Sequence, residues 1–321
     1  EPASILRFPE PLTLFYDRAP WTEEIIIGRL RVLAALHDRR EALGEERPLI
    51  VVASARAVMQ RTLPLHQYRL SVREVAKDQL LDLERTLRRW AGLGYEPVSV
   101  VEAEGQFSHR GGIIDVFPPS DELPVRIELW GNQVDSIRRF DPATQRSRDR
   151  VERVTITPAR EALPRHGGRA AERLAALLER DLPEDVREEL EEHYQGLAEA
   201  APFPGLEFYL PYFYSHPATL LDYLPADGLL MVDDGWELAD TWAELEEEAL
   251  ELLGMLAGRG VRVITYGPEG FEVVLAQERA DRVGVIGQLG HQGLAEGEKR
   301  RAARRRDDHS PAGRFGGQEA G

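Results

Sequence analysis

A chain of 321 residues, 42% hydrophobic and 30% charged, carries enough apolar material for about two globular domains. Its formal net charge of −16 argues against a surface given over to phosphate, since duplex DNA binding draws its affinity from clustered Lys and Arg, although a local basic patch is compatible with that average. The absence of cysteine excludes disulfides, thiolate zinc sites and a cysteine nucleophile.

No run approaches the roughly 18 to 20 apolar residues that span a bilayer. Glu1-Pro2-Ala3-Ser4 lacks the charged-then-apolar pattern of a signal peptide. A cytoplasmic protein without a membrane partner is therefore expected, and the start without Met reads as a piece of something longer.

Ile5 to Phe8 and Leu12 to Tyr16 are short apolar runs broken by Pro9 and Pro11, read as strand and loop. Ile26, Leu30, Leu33, Ala34 and Leu36 recur at helical spacing, and Leu49 to Val52 follows as an unalternating buried strand. Helix then continuous apolar strand is the pattern of a parallel α/β sheet. Ser71 to Gly92 reads as a second amphipathic helix through Val75, Leu80, Leu81, Leu83, Leu87 and Trp90.

Between Tyr95 and Ile156 the texture changes to short alternating strands at Val98 to Val101, Gly112 to Phe117, Val125 to Trp130, Val134 to Phe140 and Val151 to Ile156. Arg169 to Glu199 is an acidic helical stretch interrupted at Pro183, read as a solvated connector. An α/β pattern then resumes with a strand at Gly228 to Val232, a helix at Trp236 to Leu256 and strands at Val261 to Thr265 and Val283 to Ile286. The basic run Glu298 to Arg306 lies in Gly-rich polar sequence and reads as a disordered tail.

The expected organisation is thus a first α/β part at 1–94, an inserted small antiparallel β-rich domain at 95–160, an acidic helical connector at 161–204, a second α/β part at 205–287 and a basic tail at 288–321. Within the insert, Gly131-Asn132 marks a hairpin turn. A two-residue loop sets Arg126 against Ile137. A three-residue loop, Gly131 to Gln133, sets Arg126 against Arg138 and Ile127 against Ile137, and this second register is the one expected. It leaves two arginines face to face, with Glu128 the nearest same-face carboxylate and Phe140 as an exposed apolar anchor. Arg110-Gly111-Gly112 reads as a structural bulge or close backbone approach, with Asp115 tying the turn.

The blocks Gly105-Gln106-Phe107-Ser108-His109-Arg110-Gly111-Gly112-Ile113-Ile114-Asp115-Val116-Phe117-Pro118, Pro124 to Glu128, Asp135 to Asp141, Gln145-Arg146-Ser147 and Leu220 to Pro225 occur in order. Together they resemble the UvrA-binding domain shared by UvrB and the transcription-repair coupling factor family, over roughly Ile5 to Leu256. That resemblance implies a degenerate P-loop-type, UvrB-like parallel-sheet domain split by the β-rich insert. It also implies UvrA contacts through Arg126, Arg138 and Phe140, although UvrB has a further arginine where this chain has Ser136.

Where UvrB carries an acidic Asp-Glu-Ser-His motif, this chain reads Asp233-Asp234-Gly235-Trp236, and no Gly-x-x-x-x-Gly-Lys-Ser/Thr occurs in it. Asp233 and Asp234 are expected to cap the following helix, not to bind metal. The short connection between Phe15 and Arg29 leaves no room for the DNA-clamping hairpin of UvrB.

The resemblance implies an amino-terminal module that recruits UvrA to stalled RNA polymerase in transcription-coupled nucleotide excision repair, by protein binding without ATP hydrolysis in this fragment. ATP and Mg, and contacts with RNA polymerase and DNA, would belong to the motor and other parts of the parent protein. The alternative is a UvrB-like ATP-dependent helicase subunit of the excinuclease. A metal hydrolase is disfavoured because the eight histidines show no ligand spacing with Asp233 and Asp234.

Overall fold

The computed structural model describes residues 4–11, 20–41, 48–179, 184–216, 218–233, 235–236, 240, 244, 262–267 and 270–275. The chain divides into two compact units, residues 1–238 and 239–321. No described helix is long and apolar enough to cross a membrane.

In the first unit, β1 (Ser4–Phe8) runs parallel to β2 (Leu49–Ala53), and α1 (Glu23–Glu41) connects them. The helix starts with Glu23 and Glu24 and ends with Arg39 and Arg40, charges that oppose its macrodipole at both ends. Ile26, Leu30, Leu33 and Leu36 are buried, as the helical spacing requires. A short helix α2 (Ala55–Met59), capped by the Ser54 hydroxyl, and α3 (Leu65–Ser71) follow.

The stretch Ser71 to Gly92 is not one helix. It opens as β3 (Arg73–Ala76), which pairs antiparallel with β10 (Arg153–Ile156), and becomes helical only at α4 (Leu83–Gly92). Tertiary pairing overrides the helical period here. Asp78 sits at φ 66, a turn conformation, and the Asp82 carboxylate accepts the Arg85 N–H at 3.0 Å to start α4.

The six-stranded sheet has the order β4 (Glu96–Pro97), β5 (Gln106–Arg110), β6 (Ile113–Val116), β7 (Val125–Trp130), β8 (Gln133–Phe140) and β9 (Ser147–Val151). All its pairs are antiparallel except β4–β5. One face buries Phe107, Val116, Ile127 and Ile137, and Trp90 of α4 meets Phe107 edge-on at 6.0 Å. Val98 to Val101 is not a strand, whereas β5 and β9 are strands the alternating pattern missed, because their residues read as polar.

Helices α5 (Gly167–Leu178) and α6 (Glu184–Ala198) occupy the stretch expected to be a connector, with Leu174, Leu190 and Leu197 buried. The chain then returns to the start of the unit through α7 (Leu210–Phe213). Thr62 bridges to Ala218, the Tyr223 hydroxyl donates to the Leu63 carbonyl at 2.7 Å, and Arg40 donates to the Leu224 carbonyl at 2.6 Å. Segments on both sides of the β-rich region thus pack on each other.

Gly228 to Val232 is not a strand: it lies as exposed coil, with Leu229 83% and Met231 82% exposed. In the second unit, β11 (Arg262–Gly267) and β12 (Gly270–Leu275) form an antiparallel hairpin. Most of the helix expected at Trp236 to Leu256, the strand at Val283 to Ile286 and the tail at 288–321 lie outside the described residues.

His166, beside α5, accepts from Arg165 Nε at 3.3 Å. Burial, then the Arg165 and Arg169 guanidiniums, push its pKa down to about 4. A histidine depressed from its unfolded value near 6.5 favours the folded state above that pH. This contribution is lost as pH falls from about 6.5 towards 4. Stability measured by urea unfolding is therefore expected to decline across that window, and His166→Gln is expected to flatten the decline.

Candidate partner-binding face

The centre of the sheet brings the sequence-derived residues together. The β7–β8 register sets Arg126 against Arg138, Ile127 against Ile137 and Glu128 against Ser136, yet the turn has two residues, with Trp130 opposite Gln133. A β-bulge between Glu128 and Leu129 reconciles the two, since one extra residue on β8 shifts the register without moving the turn. Gly131 at φ 61 supplies the positive angle at the first turn position, the φ pattern of a type II′ turn.

The two arginines are held differently. Arg126 lies opposite Asp115 of β6 and grips it with both arms of its fork, Nε to Oδ1 and Nη2 to Oδ2, each at 2.8 Å. This hydrogen bonding raises the Arg126 pKa against the opposing effect of burial. The guanidinium also stacks over the Phe140 ring, 4.8 Å from its centroid. So Asp115 is the main relief for Arg126, with Glu128 a smaller contribution, and the Asp115 carboxylate is engaged by Arg126.

Glu128 instead accepts the Ser136 hydroxyl at 2.6 Å and a long contact from Arg138 Nη2 at 3.4 Å. Arg138 Nε is buried with no hydrogen-bond partner, and its cross-strand neighbour on β9 is Arg150. An unpaired buried donor costs about 1 to 3 kcal/mol. Arg138, whose side chain is 30% exposed, is the less satisfied of the pair.

Phe140 corrects the sequence reading: it is fully buried with Val101 and Phe117, and Val98 packs against this cluster. It shares the face of Arg126, but the arginine fork and the segment 98–101 cover it. Its ring supports the charged face from beneath and offers no surface anchor.

The exposed aromatic on this face is Trp130, which sequence reasoning missed. Residues i, i+2 and i+4 of a strand share a face, so Arg126, Glu128 and Trp130 are in line. Trp130 is 83% exposed, and Ile113, opposite Glu128, is 40% exposed. A Trp placed just before Gly-Asn, in phase with Arg126, was the available signal. Gly112 is held close to the hairpin, since a Cβ there would meet the Leu129 carbonyl oxygen at 2.9 Å, which bears out the close-approach reading for Gly112, whereas Gly111 has open space and sits at φ 61.

Asp233 is exposed, and Asp234 lies outside the described residues, so the proposed helix cap is not visible. Among the described residues no group of three His, Asp or Glu is placed to hold a metal ion.

Residues 74–161 match the family described as the UvrB interaction domain. The chain is 33% identical over 270 residues to the transcription-repair-coupling factor of Bacillus subtilis, covering 81% of this chain and 22% of that protein. It is 34% identical over 251 residues to the one from Myxococcus xanthus, covering 75% and 20%, and 30% identical over 224 residues to the one from Haemophilus influenzae, covering 70% and 19%. The chain thus spans about a fifth of the length of these curated relatives. It is a homologue of the transcription-repair-coupling factors over most of its own length and carries a UvrB interaction domain at residues 74–161.

Proposed function

We propose that this chain is the protein-docking module of a transcription-repair coupling factor, and that its β6–β8 face binds UvrA, recruiting it to stalled RNA polymerase. The single observation that carries the reading is the pair of facing arginines. One is fixed on Asp115 and Phe140, and the other, with its side chain 30% exposed, makes a long 3.4 Å contact with Glu128. Arginine forks recognise carboxylates bidentately, so the face suits an acidic protein surface.

In this reading the surrounding α/β part is a UvrB-like domain whose nucleotide chemistry has been lost, split by the β-rich insert. The parallel β1–β2 pair and the return of residues 218–224 onto α1 and the segment just before α3 support that arrangement. The chain acts by binding and does not hydrolyse ATP. ATP, Mg, DNA and RNA polymerase are handled by the remaining four fifths of the parent protein.

Calorimetric titration with purified UvrA tests this. Arg126→Glu would face Asp115 and endanger the fold, so the informative variants are Arg138→Glu and Arg126→Gln, which can keep one bond to Asp115. Arg138→Glu is expected to weaken binding at least about a hundredfold, roughly 2.7 kcal/mol, with Arg126→Gln costing about tenfold. Binding unchanged in folded Arg138→Glu protein would refute the assignment.

A further inference from the structure

We infer that Trp130 is the apolar anchor of the partner contact, inserting into an apolar cleft on the partner whose rim carries carboxylates. This rests on the docking role of the β6–β8 face proposed above.

Among the described residues Trp130 is one of the most exposed large apolar side chains, and it has exposed apolar company: Leu80, 77% exposed, bridges to Gln133, the cross-strand partner of Trp130, and Ile113 lies one strand away. Leaving this much apolar surface in water is unfavourable, and a patch of this kind marks a contact site. A Trp side chain buries about 150 to 250 Å² when covered, more than any other single residue on this face could.

The platform beneath it is rigid. A hairpin tip ordinarily frays, but here the segment 78–81 lies along it and makes a ladder of backbone bonds. Asp78 N–H donates to Val134 O at 2.8 Å, Val134 N–H to Gln79 O at 2.9 Å, and Leu81 N–H to Asn132 O at 2.7 Å. On the other side Leu129 N–H donates to Gly112 O at 2.7 Å. The tip is therefore braced from both flanking segments, and ordering it costs little on association. The bulge at Glu128/Leu129 re-aims the strand end that carries the indole.

The chemistry of the partner follows from the order of residues along the face. Reading from the tip, the indole comes first, then the Glu128–Ser136 pair level with Ile113, then the Arg126 and Arg138 forks. A complementary surface presents an apolar cleft at one end and carboxylates at the other. A nucleic acid fits this order poorly, since the charged residue that follows the indole in phase along β7 is the carboxylate Glu128.

Calorimetry with UvrA separates this inference from the reading it rests on. Trp130→Ala, an exposed substitution that leaves the core untouched, is expected to weaken binding at least about thirtyfold, the size of an interface hot spot. Trp130→Phe, which keeps an aromatic ring, is expected to stay within about threefold of wild type. Trp130→Ala binding like wild type while Arg138→Glu loses binding would overturn the anchor and leave the charged contact standing. Wild type failing to bind UvrA would overturn both.

Discussion

Glu161→Ala is expected to destabilise the first unit by about 3 to 5 kcal/mol, because it strips the carboxylate partner from a fully buried arginine. Arg29 and Glu161 are both buried, joined Nε to Oε1 at 2.5 Å and Nη2 to Oε2 at 3.1 Å across 132 residues of sequence. The Arg29 guanidinium stacks over Phe8 at 4.2 Å and Trp21 at 4.9 Å and also donates to the Arg61 carbonyl at 3.0 Å. One side chain thus ties together β1, α1, the loop after α2 and the segment that follows β10. Without the carboxylate, the charge is left, among the described residues, with the Pro9 and Arg61 carbonyls as acceptors. The shift in urea midpoint measures the loss. Replacing both partners, Arg29→Met with Glu161→Leu, is expected to recover most of it, since two apolar side chains leave no buried charge. A loss under about 1 kcal/mol in the single variant would mean that water reaches the site.

Phe140→Ala is expected to cost a similar amount, about 3 to 5 kcal/mol, as a large-to-small change in a closed core. The cavity would open among Val101, Phe117 and Val98 and remove the ring beneath Arg126. The arginine would keep Asp115 but lose the surface that sets its height above the sheet. Unfolding midpoints together with UvrA titration distinguish this from a surface role. A variant that loses binding at unchanged stability would show that Phe140 touches the partner directly, against its burial here.

The hairpin shows how much a sequence can carry. Its first strand was legible because Val125, Ile127 and Leu129 alternate with other residues, and the facing of Arg126 and Arg138 followed from keeping apolar with apolar. The bulge was not legible, since it lets a two-residue turn coexist with the register of a three-residue one. Composition cannot reveal which strand absorbs the extra residue.

Phe140 was misjudged for a related reason. It lies in phase with Arg126, and phase places a residue on a face without saying what covers that face. The cover comes from the segment 98–101, whose apolar residues were assigned to a strand of their own. The Ser71 to Gly92 stretch failed through long-range pairing: Val75 fits a helical stripe, yet it is buried as a strand residue opposite Val154. Gly228 to Val232 has strand composition and no described strand beside it, so the pattern alone did not make one.

The most direct test of the central claim is a cryo-electron microscopy structure of this chain bound to UvrA. The docking assignment predicts contact through the β6–β8 face, with the exposed part of the Arg138 guanidinium within hydrogen-bond distance of a UvrA carboxylate and Arg126 still gripping Asp115. A complex in which UvrA sits on another surface, leaving Arg126 and Arg138 in solvent, would contradict it.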